Sequence, residues 1–314
     1  MDHSNKDRRS FLKSAAGLAL STRALLGQQP PAAPVPPPKK ARITSSVMLW
    51  TLKGSFDEKL ATAADAGIQS VELVNEHEDW SDSDAAKYKR MVRSYNMHMD
   101  TILASRDWVK RPVSLVNPAH RDAFLADVRH AIGWAKKLDV PQIILMSGNV
   151  QPDMTHEAQY ASLVESAKRA TDLAEAAEVT LIIENLNSKV NHPSYFLTSA
   201  AEALKAVKEV DNPHFRFLYD LYHEEVQNGD ALSIVKDAEP YVNVFHVADA
   251  PGRHDPGTGE MKWAELYTAI ARSNYSNYIA LEYLPVPVDQ ASSLIKAVTS
   301  MRAALNAVPP EKTA

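Results

Sequence analysis

Residues 41–314 predict an α/β protein, a (β/α)8 TIM barrel, on three observations. Short β-branched runs alternate with longer amphipathic stretches from Arg42 onward. The count of strand–helix units closes at eight, and the length, about 270 residues, suits eight such units. The alternative is a doubly wound open sheet, yet no Gly-rich dinucleotide loop follows the first strand run.

The elements follow in order. A strand over 43–50 leads to a helix over 56–66, which Ser55 or Asp57 caps and Gly67 closes. A strand over 70–75 precedes a helix over 84–95, one over 98–104 precedes a helix over 120–138, and one over 142–147 a helix over 157–177. The fifth strand, 180–186, contains the apolar run Leu181-Ile182-Ile183. Its helix, 200–210, has Thr198 or Ser199 as cap, with Glu202 placed to reach back, and Asp211-Asn212-Pro213 stops it. Strands over 216–222, 242–248 and 278–283 pair with helices over 231–239, 263–272 and 290–307.

The first 40 residues fall outside this rhythm. Residues 1–27 resemble a twin-arginine export signal: Arg8-Arg9 precede Phe11-Leu12-Lys13, and a short apolar run follows. The bland alternative is a basic, frayed N-terminus. Residues 28–40 are Pro-rich and read as an extended linker. The expected location is therefore periplasmic or otherwise exported. No run of 18 apolar residues is present, so no membrane span is expected.

Composition excludes several chemistries. The 314 residues are 45% hydrophobic and 23% charged, with no Cys, which rules out disulfides, thiolate zinc sites and a Cys nucleophile. The net charge is −5; residues 1–40 hold seven basic and two acidic groups, so the remainder carries −10. Such an acidic domain is a poor electrostatic match for nucleic acid.

In a barrel of this kind the reacting groups sit at the C-terminal ends of the strands. Four successive strands end on metal-capable side chains: Glu184, Asp220, His246 and Glu282. The spacings of 36, 26 and 36 residues each match about one βα unit. Any one of them alone reads equally well as a buried, hydrogen-bonded polar residue. Together, three carboxylates converging on one rim repel one another unless a cation relieves the repulsion. Three carboxylates and an imidazole suit Mn2+ or Mg2+, with Co2+ or Zn2+ as alternatives.

Longer matches surround these residues: 181–187 (Leu-Ile-Ile-Glu-Asn-Leu-Asn), Tyr195-Phe196-Leu197, Asp220-Leu221-Tyr222-His223, the loop run 248–260 containing Pro251-Gly252-Arg253-His254, and Glu282-Tyr283 with Pro285. In them the chain from about Ile43 onward resembles the xylose isomerase-like superfamily, and within it the hydroxypyruvate isomerases and related sugar isomerases and epimerases. That resemblance implies that Glu184, Asp220, His246 and Glu282 hold a divalent metal, and that Glu184 and Glu282 double as the catalytic acid/base pair. It implies that His223 and Arg253 contact substrate oxygens, that the substrate is a small hydroxy-keto acid or sugar, and that the protein is a homo-oligomer. One departure stands out. Hydroxypyruvate isomerases often carry Gln at the position of His246, whereas the ketose 3-epimerase branch carries His.

The implied reaction moves a proton beside a carbonyl through an enediolate, turning hydroxypyruvate into tartronate semialdehyde. A ketose or keto-sugar 3-epimerase is the nearest alternative. A DNA-repair endonuclease shares the barrel but generally has more His ligands, and a non-catalytic binding protein needs no such carboxylate pair. Arg253 has a second reading, a loop-bracing salt bridge to Asp249 or Asp255, and His223 one as a group that orients a carboxylate. His77, Trp50 and Trp108 are candidates for the mouth of the pocket. His98 and His214 fall near strand starts, and His120, His130 and His156 on helix patterns. His254, Asp255 and Glu260 read as loop-ordering or solvent-facing groups.

Overall fold

The computed structural model describes residues 43–104, 113–286 and 289–308. The expected signal segment, the linker and Trp108 lie outside the described residues.

Eight parallel strands close into a barrel in the order β1 to β8. They are β1 Thr44–Met48, β2 Ser70–Leu73, β3 His98–Leu103, β4 Gln142–Leu145, β5 Thr180–Glu184, β6 Phe215–Asp220, β7 Val242–Val247 and β8 Tyr278–Leu281. The surrounding helices are α1 Phe56–Asp65, α2 Asp82–Ser94, α3 Arg121–Leu138, α4 His156–Glu175, α5 Ala200–Val210, α6 Leu221–Asn228, α7 Val235–Ala238, α8 Trp263–Arg272 and α9 Gln290–Ala307. Alternate strand residues face outward onto the helices and form most of the core. In β5, for instance, Leu181, Ile182 and Ile183 are fully buried, as expected for a strand covered on both faces.

Local chemistry sets the boundaries. Ser55 closes a reciprocal capping box with Glu58 at the start of α1. Ser199 caps α5 by accepting from the Glu202 N–H, but the Glu202 carboxylate pairs with His156 at 2.6 Å instead of reaching back. The sixth unit differs from the sequence expectation. Its strand ends at Asp220, not Tyr222, because the Asp220 side chain accepts from the His223 N–H and starts α6 at once. Gly229 then closes α6 at φ 76°. The helix expected over 231–239 shrinks to the single turn of α7 and a 3-10 turn, Glu239–Tyr241.

The register between β2 and β3 slips by one residue: Val71 faces Met99, but Glu72 faces Thr101. Asp100 is the extra residue, and its Oδ1 accepts from Ser46 Oγ at 2.8 Å inside the barrel. Among the described residues, no helix is long and apolar enough to cross a membrane.

Candidate active site

The strand ends bring the four expected residues together. Glu184 and Asp220 are the last residues of β5 and β6, His246 is the penultimate residue of β7, and Glu282 follows β8 directly. One donor atom from each lies within 4.8 Å of all the others, and all four residues are buried. His246 Nδ1 is the hub: it lies 2.8 Å from Glu282 Oε2, 3.3 Å from Glu184 Oε1 and 3.9 Å from Asp220 Oδ2. Asp220 divides its carboxylate, with Oδ1 spent on capping α6 and Oδ2 turned to the cluster.

Arg253 completes the charge balance. Its Nη2 lies 2.7 Å from Glu282 Oε2 and 4.0 Å from Asp220 Oδ2, and its Nε donates to the Glu282 carbonyl at 3.3 Å. The guanidinium lies against the rings of Trp50 and Tyr222, at 5.3 and 5.5 Å. The bracing of Arg253 by Asp249 or Asp255 is not what the structure shows. Asp249 instead accepts from the Gly257 and Met261 N–H groups and from Trp263 Nε1, pinning the loop after β7. A Cβ on Gly259 would lie 2.4 Å from the Ala250 carbonyl and 2.5 Å from Asp249, so this pinning requires glycine there. Asp255 accepts from Ser293 Oγ and the Val286 N–H, and His254 contacts the Leu284 carbonyl, so both order the loop.

A cavity of about 230 Å³ opens onto this cluster, with Glu184, Glu282, Arg253, His192 and Trp50 among its lining residues. The rest of its wall is apolar: Met48, Val74, Leu103, Ile144, Met146 and Leu186. Trp50 also donates Nε1 to Glu282 Oε1 at 2.9 Å. His223 does not line the cavity. It is fully buried, its Nδ1 accepts from the Asn187 N–H at 3.1 Å, and its Nε2 lies 3.7 Å from Asp220 Oδ2. The ring of His192 stands 5.2 Å in front of it and faces the cavity. His77 is buried against Trp134 at 5.4 Å, away from the lining. His130 and His156 pair with Glu78 and Glu202.

The environments of the carboxylates diverge. Burial raises Glu184, and burial together with the charge of Glu282 pushes Asp220 well above the usual range. Burial acts on Glu282 in the same direction, but Arg253 and His246 outweigh it and hold that carboxyl well below the usual range. Burial opposes the charged form of His246, and the surrounding carboxylates, Glu72 first, overcome it and raise its pKa. His192 is pushed down to about 4 by burial and by Arg253. The cluster is thus three carboxylates offset by Arg253 and His246, with donor atoms arranged to converge on one point.

Two residues at this site carry no signature in the local sequence. Glu72, in mid-strand on β2, reaches 3.0 Å from His246 Nε2 across the barrel interior. His192 comes from the irregular loop after β5. The only available signals were an acidic residue at an inward strand position, and a histidine in a loop at the rim.

A family model described as the xylose isomerase-like TIM barrel matches residues 60–303. The chain is 27% identical to the 2-oxo-tetronate isomerase of Pectobacterium atrosepticum over 73% of this chain and 87% of that protein. It is also 27% identical to the hydroxypyruvate isomerase of Escherichia coli, over 78% of this chain and 95% of that one. Among solved structures, a family 2 AP endonuclease from Brucella melitensis superposes with a TM-score of 0.73 at 24% identity, covering 82% of this chain and 98% of that one. The D-psicose 3-epimerase of Clostridium cellulolyticum H10 superposes at 0.72 and 18% identity, covering 84% and 99%. At these identities the structural likenesses speak for the fold alone.

Proposed function

The chain belongs to the xylose isomerase-like TIM-barrel family, and we propose that it is a divalent-metal-dependent isomerase that moves a proton between adjacent carbons of a small hydroxy-carbonyl substrate. The leading reaction is hydroxypyruvate to tartronate semialdehyde. Kinship to proteins named hydroxypyruvate isomerase and 2-oxo-tetronate isomerase supports the reaction class. The observation that carries the reading is the pair Glu184 and Glu282. They come from strands three apart in the barrel, line one cavity and meet at the same histidine nitrogen.

The donor set fits a metal. Carboxylate oxygens of Glu184, Asp220 and Glu282, with His246 Nδ1, would hold it, and hard oxygens with one imidazole favour Mn2+ or Mg2+ over Co2+ or Zn2+. A cation there supplies Lewis acidity, which lowers the pKa of the carbon acid beside the carbonyl. The remaining work falls to side chains. One Glu takes the proton from the hydroxymethyl carbon and a Glu returns it to the former carbonyl carbon, while the hydroxyl proton passes from the hydroxymethyl oxygen to the former carbonyl oxygen, leaving an aldehyde and an alcohol. Arg253 offers its guanidinium to the substrate carboxylate; its contacts to Glu282 engage two of its three nitrogens. The apolar wall from Met48 to Leu186 offers the enediolate no proton donor of its own. His223 acts from behind, holding Asn187 and facing Asp220.

A 3-epimerase acting on a ketose or keto-sugar is the second reading. His246 favours it, and so does a cavity with room beyond a three-carbon acid. Export by the twin-arginine route and a homo-oligomeric state belong to the proposal as well. The deciding assay offers hydroxypyruvate, tagatose, fructose and 3-keto-glucosides to the Mn2+-loaded chain. Hydroxypyruvate is expected to give the highest kcat/KM. A ketose or keto-glucoside ahead of it moves the assignment to the epimerase, and no turnover of any of them sinks both.

A further inference from the structure

The inference concerns Glu72 and rests on the metal reading above. Glu72 is fully buried in the middle of β2, between Val71 and Leu73. A lone ionised carboxylate in such a place is expensive unless a partner compensates it. Neither of its oxygens has an aligned hydrogen-bond partner among the described residues. What stands beside it is His246: Glu72 Oε2 and His246 Nε2 are 3.0 Å apart, and both side chains have no solvent exposure. The contact crosses the barrel interior, since β2 and β7 are separated by β1 and β8.

The two nitrogens of the imidazole therefore meet different groups. Nδ1 lies beside the carboxylates of Glu184, Asp220 and Glu282, whereas Nε2, on the other edge of the ring, lies beside Glu72 with no aligned hydrogen bond between them. A neutral imidazole donates a lone pair from one nitrogen and carries a proton on the other, and the group beside the second nitrogen decides which is which. We infer that Glu72 is a positioning residue for the metal site: it holds the His246 proton on Nε2, so that the Nδ1 lone pair is presented to the cation. A carboxylate in this place also raises the basicity of the liganding nitrogen. Glu72 touches neither substrate nor metal in this arrangement and acts only through His246.

The test is Mn2+ affinity by calorimetry on the full chain, comparing the parent, Glu72→Gln, His246→Gln and the double variant. Glu72→Gln keeps the shape and an acceptor oxygen but removes the charge. It is expected to weaken Mn2+ binding about 10- to 100-fold. In the His246→Gln background the same substitution is expected to change affinity by less than about threefold, because the histidine through which Glu72 acts is gone. A purely structural Glu72 would move thermal unfolding alike in both backgrounds and leave affinity untouched. A parent that binds Mn2+ while Glu72→Gln binds it equally well overturns the assignment and leaves the metal reading standing. A parent that binds no Mn2+ removes the metal reading and the assignment together. Histidine 15N spectra of the Mg2+-loaded protein provide a second readout: the parent should show the Nε2–H tautomer at His246, and an Nδ1–H tautomer there contradicts the inference.

Discussion

Glu282→Gln is expected to lower kcat about 1,000-fold or more at saturating Mn2+, with the barrel still folded. The substitution keeps the side chain's size and an oxygen that can accept from Trp50 Nε1. It removes the charge that faces Arg253 Nη2 at 2.7 Å and His246 Nδ1 at 2.8 Å, and with it the ability to take a proton. Asp220 and Glu184 remain to offset Arg253, so collapse of the fold is not expected. Stopped assays alongside far-ultraviolet circular dichroism separate the two effects. A folded Glu282→Gln variant with activity within a fewfold of the parent would remove Glu282 from the acid/base pair.

Arg253→Met separates the two substrate readings. Losing a buried charge-assisted contact to a substrate carboxylate costs about 3 kcal/mol, or about 100-fold in KM. That rise is expected for hydroxypyruvate, whereas an uncharged ketose should lose much less in KM. Both substrates should share a fall in kcat, because Glu282 loses the cation that holds its carboxyl down. Steady-state kinetics on both compounds check this, with Arg253→Lys as a control that keeps the charge but not the planar fork. An unchanged KM for hydroxypyruvate would mean that Arg253 serves Glu282 and not the substrate.

The fold and the cluster were legible because they rest on features with a period. Strand runs recur with the length of a βα unit, and Glu184, Asp220, His246 and Glu282 each sit where an apolar run meets the rim. Boundaries set by single hydrogen bonds were less visible. The end of β6 depends on Asp220 capping α6, a residue that serves both the helix and the site, and hydrophobic pattern alone extends that strand through Tyr222. Contacts across the barrel left no local trace: Glu72 and His246 are 174 positions apart in sequence and meet only because the sheet closes. His223 matched a motif and His192 did not, yet His192 is the one that faces the cavity, since a motif records proximity to Asp220 and not which ring stands in front.

The central claim is that the four strand-end residues hold a divalent cation on which proton transfer depends. Exhaustive chelation of the full chain, elemental analysis of the product and assay before and after adding back metal test it most directly. Activity should disappear with the metal and return on addition of Mn2+ or Mg2+, saturating near one equivalent per chain. Full activity in protein shown by elemental analysis to contain no metal would contradict it.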